Sequence, residues 1–421
     1  MQTLRKAHLR SIRPTLVALA AAAVAATAAA QQAPQGPRTA DPEAAAPEGP
    51  LERIVITARK RAEASQTVPV AVSAFNADSL ERAKIVNPAD LQFSIPNAVL
   101  TGNDRFTIRG IGNNSLGGDN GVGLAINGAT IAVFPQDELF DLGRIEVLRG
   151  PQGTLFGRNT TGGALSIFTR RPSDKFEGKV SLELGNYDHK RAEGMVNIPI
   201  TGNLRQRFAG YMLKRDGFTK NEFTGNAVDG RDQYSVRSST QLFLGDRTDA
   251  NLVLGAFKED SSRTRETKRQ CKAVPVLGCS PNELGFDSPD YSATVFAPLA
   301  NFFLVPAGVM APGSNIYAGA LNPRDLRSVA ADFDATSRID NKFMTFELNH
   351  EFEPVTLSYV AGYSDSDVEQ NTDWDNSALP FRFLSPQTYN VTRDQTVTTD
   401  RLLTTDSFVA KNKTWSHELR V

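Results

Sequence analysis

The sequence predicts an α+β domain of short strands followed by an antiparallel β-barrel that crosses a membrane. Three observations predict it. An export signal opens the chain, a Gly-rich run of short strands follows, and long amphipathic strands fill the rest. The segment "MQTLRKAHLRSIRP" carries Arg5, Lys6, Arg10 and Arg13 and no acid. It runs into "TLVALAAAAVAATAAA", a short apolar stretch ending at Ala28-Ala29-Ala30. A basic start, a short apolar centre and an A-x-A exit make a cleaved secretory signal, so residues 1–30 are expected to be removed. No other stretch approaches the ~20 apolar residues of a spanning helix, so any membrane crossing falls to strands.

Net charge is −1, which gives no basic bias toward nucleic acid. The four His are scattered and form no HExxH or C-x-x-C partner set, so no metal or cofactor is expected. Residues 31–53 begin as "QQAPQGPRTADPEAAAPEGP", with almost nothing to bury, and read as a flexible leader.

Residues 54–172 then read as one compact domain. "IVIT" (54–57) places three β-branched apolar residues and Thr together, a short strand. Val68–Phe75 is a second strand, followed by two helical turns that Asp78 or Ser79 and then Pro88 can start. "RFTIRGIG" (105–112) is another strand, and Asn127-Gly128 inside "GVGLAINGATIA" marks a hairpin. Last comes "RIEVLRGPQGTLFGRNTTGGALSIFTRRP" (144–172), strand-like at both ends and rich in Gly between. No helix tolerates that many glycines; sharp turns and close backbone approach demand them.

From residue 173 the texture changes to strands of about ten residues that alternate apolar and polar. Val180, Leu182 and Leu184 oppose Lys179, Ser181 and Glu183; Leu252 and Leu254 share a face; Met344, Phe346 and Leu348 oppose Thr345, Glu347 and Asn349. Val355, Leu357, Tyr359 and Tyr363 oppose Thr356, Ser358 and Gly362. Tight turns at 201–203, 245–249 and 353–354 alternate with long polar loops. A soluble antiparallel sandwich alternates in the same way. The export signal and the turn-to-loop asymmetry favour the outer-membrane barrel. The longest loop holds Cys271 and Cys279, and an exported chain with two Cys in one loop favours a disulfide over a metal pair.

The run 144–172 resembles the plug signature of TonB-dependent outer-membrane receptors. "RIVITARK" resembles their TonB box, "TIRGIG" a plug strand end, and "INGATIA" the plug hairpin, all in the family's order. The resemblance is strong over 51–172 and looser over 173–421. It implies a TonB box at Ile54, Val55, Ile56, Thr57 and Ala58, which would add as a strand to the partner TonB of the inner-membrane energising complex. It implies plug–barrel ion pairs through Arg109, Arg149 and Arg158 against acids of the wall, and through Glu146 against a barrel Arg. It places ligand-facing plug apices at Asn103, Arg105, Asn113, Asn114, Asp119 and Phe134. The implied function is active uptake of a scarce small ligand, an iron–siderophore complex above all, by a protein held in outer-membrane lipid. An exported β-rich binding or adhesion protein without transport is the competing reading. An enzyme is not expected, since no nucleophile–His–acid motif stands out and Gly153–Arg158 lacks the Lys of a phosphate loop.

The resemblance implies a barrel of 22 strands, which need roughly 220 residues, and 173–421 supplies about eight recognisable strands. The sequence is therefore expected to represent part of a longer receptor.

Overall fold

The computed structural model describes residues 55–57, 60, 63–64, 70–101, 105–112, 121–131, 139–264, 273–274, 278–279, 285–286, 300–316, 323–373, 376–392 and 395–421. The expected signal peptide and leader lie outside them. At the start, β1 (Val55–Ile56) pairs antiparallel with β2 (Glu63–Ala64). Strand β3 (Val72–Asn76) runs directly into α1 (Ala77–Arg82). The cap is Asn76, whose Oδ1 accepts from Ser79 N at 2.8 Å; the sequence pointed to Asp78 or Ser79. Asn76 already lies in extended backbone, which leaves its side chain free to reach the third helical amide. Pro88 opens a 3-10 turn over Pro88–Phe93, as its fixed φ allows.

Strands β4 (Ala98–Thr101) and β5 (Arg105–Ile108) form a separate pair. Strand β6 (Val122–Ile126) turns into β7 (Ala129–Thr130) through Asn127 and Gly128, at φ 50° and 83°. Both values are positive, as the favoured two-residue hairpin requires. Then come β8 (Leu142–Arg149), the short α2 (Gly153–Phe156) and β9 (Gly163–Thr169). Their sheet runs β3-β8-β9-β6-β7, with β6 and β9 parallel and its other pairs antiparallel. Leu80, Leu91, Ile108, Ile145, Val147, Leu165 and Ile167 are buried together as its core. Gly163 joins β8 to β9 at φ +151°, and a Cβ there would lie 2.2 Å from the Leu148 carbonyl oxygen. That position accepts no side chain. Gly153, read as a turn glycine in the sequence, starts α2 instead.

Eight strands form the wall. They are β10 (Glu177–Gly185), β11 (His189–Pro199) and β12 (Leu204–Arg215), and, past the small loop strands β13 (Thr219–Asn221) and β14 (Ala227–Val228), β15 (Arg231–Phe243) and β16 (Thr248–Ser261). After β17 (Ala273–Val274), β18 (Gly278–Cys279) and β19 (Ser328–Val329) come β20 (Thr336–Phe352) and β21 (Val355–Asp373). A hairpin of β22 (Arg382–Thr392) and β23 (Gln395–Arg401) precedes β24 (Thr405–Arg420). The wall order is β10-β11-β12-β15-β16-β20-β21-β24, antiparallel throughout, with β10 and β24 at its edges. Alternation sorts its faces. Asn251, Val253, Phe257 and Glu259 of β16 are buried toward the inside, while Leu254 is exposed outside. Strand β10 is the exception: Val180, Leu182 and Leu184 are exposed, but so are the polar residues between them. It is an edge strand with an open inner face, where Lys179 Nζ lies 3.9 Å from Glu81 of α1.

Every wall strand except β10 changes character along its outer face. On β21 and β24, Tyr359, Tyr363, Trp415 and Leu419 give way to Asp365, Asp367, Lys411 and Lys413. The charged residues pair across strands, Lys411 with Asp367 at 2.9 Å and Lys413 with Asp365 at 3.3 Å. Lys190, Lys214, Asp232, Lys258 and Lys342 continue this row on the neighbouring strands. An apolar band with aromatics, bounded by charge on the long-loop side, is the outer surface a strand protein shows to lipid. Among the described residues, no helix is long and apolar enough to cross a membrane.

The long loops fold on one another. Strand β19 pairs parallel with β13. Asn221, fully buried, donates to the Ala331 carbonyl at 3.0 Å and to Asp334 at 3.1 Å.

Candidate functional site

The N-terminal segment lies on the plug. Ile56 is fully buried against Leu148, Ala164 and Phe156. Thr57 donates its backbone N–H to Glu146 Oε1 at 2.8 Å, and its hydroxyl lies 3.2 Å from the same oxygen. Arg144 closes the group: Nε donates to Glu146 at 2.7 Å and Nη2 to the Thr57 hydroxyl at 3.0 Å. The sequence reading gave Glu146 a barrel Arg, but its partners are Arg144 and Thr57. The physical reason is period two: Arg144 and Glu146 share one face of β8, two residues apart. Ile54 and Ala58 lie outside the described residues.

Plug meets wall through other residues than the sequence suggested. Arg207 of β12, on the inner face and 2% exposed, binds Asp141 with Nε at 2.9 Å from Oδ2 and Nη2 at 2.5 Å from Oδ1. Asp141 stands at φ 46° at the turn into β8, which aims its carboxylate outward at the wall. Next to it, Arg237 of β15 donates to the Phe140 carbonyl at 3.2 Å and lies 4.4 Å over the Phe140 ring. Phe140 packs edge-on against Tyr211 at 5.0 Å. The wall thus supplies the guanidinium and the plug the carboxylate, the polarity expected of Glu146 but carried by Asp141.

Two further ties have the polarity expected of the plug arginines, on other residues. Lys60 bonds Glu418 of β24 at 3.2 Å, and Arg171 bonds Glu347 of β20. Burial holds the Lys60 ammonium below its ordinary pKa, Arg420 lowers it further, and Glu418 pulls it back up. The plug hairpin touches the wall directly: Asn127 Nδ2 donates to Thr345 Oγ1 at 3.2 Å. Gly362 has no room for a side chain because Ala129 Cβ would lie 2.6 Å from it. Between these contacts a cavity of about 330 Å³ remains, lined by Thr57, Lys60, Arg144, Arg171, Glu347 and Arg420.

Arg109, Arg149 and Arg158 make no ion pair among the described residues. Arg109 and Arg158 are exposed, and Arg149 is half-buried with its Nε unbonded. Of the proposed ligand-facing residues, Asn103, Asn113, Asn114, Asp119 and Phe134 lie outside the described residues. Arg105 opens β5, with its side chain outside them. Cys271 also lies outside, and Cys279 is described only as the end of β18. The ties the sequence reading missed carried one usable signal. Arg207 and Arg237 are charges at inward positions of alternating strands, where a filled lumen must supply a partner.

Farther toward the long loops, the inner wall carries a second charged cluster. Arg231 Nη1 lies 2.6 Å from Asp229 Oδ1, and Arg215 Nη2 lies 2.7 Å from the Asp229 carbonyl oxygen. Arg263 Nη2 lies 2.8 Å from Oε2 of the buried Glu259. Burial lowers the Arg263 pKa, Glu259 opposes, and Arg231 adds to the lowering.

Comparison with known proteins agrees with this architecture. Residues 64–164 match the family described as the TonB-dependent receptor plug domain. The chain is 28% identical over 182 residues to the iron-regulated outer membrane virulence protein of Vibrio cholerae, covering 39% of this chain and 28% of that protein. It is 31% identical over 105 residues to the ferripyoverdine receptor of Pseudomonas aeruginosa, covering 24% and 13%. Among solved structures, the siderophore receptor PiuA from Acinetobacter baumannii superposes with TM-score 0.56 at 16% identity, over 84% of this chain and 42% of that one. The ferric-catecholate import receptor Fiu of E. coli K12 gives 0.54 at 13%, over 84% and 46%. The chain therefore spans less than half the length of these relatives. At such identities the structures establish the shared fold: a plug domain against an antiparallel wall.

Proposed function

We propose that this chain, which carries the plug domain of a TonB-dependent outer-membrane receptor, serves energised uptake of an iron–siderophore complex. The observation that carries the reading is the plug itself, tied to the inner face of a membrane-type wall, with an extended segment at its N-terminal end. The relatives named for iron regulation and for ferripyoverdine support the cargo class. The outer membrane holds no ATP, so work has to arrive through a protein. Ile54–Ala58 is the segment proposed to deliver it, by adding as a strand to TonB, with main-chain hydrogen bonds giving affinity. Residues 31–53 would give that segment reach. Cargo would bind at the loop side, on the apices that hold Asn103, Arg105, Asn113, Asn114, Asp119 and Phe134. A Cys271–Cys279 disulfide would brace the longest loop there.

In the structure Ile56 and Thr57 of this segment are engaged by the plug. Ile56 is buried, and the Thr57 amide is bound to Glu146. Strand addition therefore requires this segment to leave the plug first. The test is binding of the periplasmic domain of TonB to the full chain in outer-membrane vesicles. Deleting residues 54–58 is expected to abolish binding while heat-modifiable gel migration persists. Undiminished binding would refute the assignment of the box.

A further inference from the structure

We propose that the outer face of the wall carries a groove for one lipid, and that its occupant is a phosphate-headed lipid of the leaflet on the long-loop side. The inference concerns the face that meets the bilayer and is independent of the uptake reading.

The groove follows from side-chain size. On the outer face, Ser238 of β15 stands in register between Phe208 and Leu254, and Ala256 of β16 between Val236 and Lys342. Small side chains among large ones leave a hollow of about 580 Å³, which Met344 and Tyr363 also line. Phe208, Val236 and Leu254 are about half exposed, although the hollow sits in the apolar band. Its one hydroxyl between them, Ser238, already accepts from Gln206 at 2.9 Å. Water finds almost no partner on such walls, whereas an acyl chain buries apolar surface against them.

The loop-side end of the groove is basic. Lys342 lines it, and Lys258 stands opposite Asp340, diagonal to Lys342. Asp340 lies 3.2 Å from Lys342, and the next acids along the row, Asp365 and Asp367, take Lys413 and Lys411. Among the described residues Lys258 makes no ion pair. Tyr234, beside Lys258 in register, adds a phenol at the same height. Diagonal neighbours on a sheet stand about 7–8 Å apart, so two long side chains can meet on one bridging group. A phosphate there would accept from Lys258 and Lys342 while its acyl chain lay along Leu254 and Val236. A zwitterionic headgroup brings its own ammonium to the same place and gains less.

The experiment uses the full chain in lipid vesicles, with Trp374→Phe leaving Trp415 as the single tryptophan. The Trp415 ring lies 4.4 Å from that of Tyr363 at the groove, and it reads bromine on a nearby acyl chain by quenching. The probes are dibrominated phosphatidic acid and dibrominated phosphatidylcholine. The chain is expected to prefer the anionic probe about ten-fold, and Lys258→Gln with Lys342→Gln to remove most of that factor. Lys258→Arg with Lys342→Arg should keep it, which separates charge from folding. Ala256→Phe, which fills the hollow, should lower it with both lysines in place. Equal quenching by the two probes, or a preference that survives the Gln pair, overturns the site. Weak quenching by either probe, together with cross-linked pairs of the chain, assigns the groove to a second copy and overturns the lipid.

Discussion

Asp141 and Arg207 show how much one buried pair can hold. Arg207 is 2% and Asp141 8% exposed, and the next carboxylate, Glu177, lies 3.8 Å from Arg207. Removing one partner of such a pair strands the other charge, which costs about 3–5 kcal/mol, whereas replacing both with apolar groups costs little. Asp141→Asn is therefore expected to lower unfolding stability by about 3 kcal/mol, and adding Arg207→Met to recover most of it. Urea unfolding followed by tryptophan fluorescence reads this; equal stability of the single variant and the parent would contradict it. Lys60 makes the opposite case. Its pKa is lowered, chiefly by burial, so the folded state binds the proton less tightly than the unfolded chain. Stability then rises with pH between the folded pKa and the ordinary value near ~10.4. Lys60→Met should be at least as stable as the parent at pH 7.5. Its advantage should shrink as pH rises toward about 10. An advantage that grows with pH would reverse the sign of this argument.

At the scale of elements, the β8–β9 connection depends on one position. Gly163→Ala would place a methyl carbon 2.2 Å from the Leu148 oxygen and force the two strands apart. Gly157→Ala meets no atom within 4 Å and bears only the conformational cost of its φ of +77° with ψ of −156°, about 1–3 kcal/mol. Limited proteolysis should cut the plug of the first variant rapidly and leave the second largely intact; equal resistance would count against the geometry. The sequence made much of this layer legible. Wall strands showed because period two survives wherever one side faces lipid and the other a polar interior. The Asn127-Gly128 hairpin showed because its backbone admits few other residues. The parallel pairing of β6 with β9 and of β13 with β19 did not show, because register between distant segments leaves no local pattern. The plug–wall ties were hidden for the same reason. Arg109, Arg149 and Arg158 stood out among the glycines, yet Arg207 and Arg237 do the holding, from strands whose alternation disguised them.

For the whole molecule, the topology separates a held part from a loose part. Strand β3 lies at the edge of the plug sheet and, among the described residues, has one sheet neighbour, β8. A disulfide between Ser73→Cys and Val147→Cys, which face each other, would fasten it, with Cys271 and Cys279 replaced by Ser. On the proposed uptake reading, ligand retention is expected to persist and TonB-driven uptake to fall at least about ten-fold until reductant is added, since a covalent bond outlasts any strand-edge contact. Uptake unaffected by the disulfide would show that β3 stays in place. Tension on Thr57 reaches β3 at Val72, whose partner is Leu148, and then passes rung by rung to Asn76 and Arg144. Under a pull directed away from β8 each rung would be loaded alone, and β3 would come away like a zipper at a force set by one pair. The other strands, moored through Asp141 to the wall, would have to be sheared together.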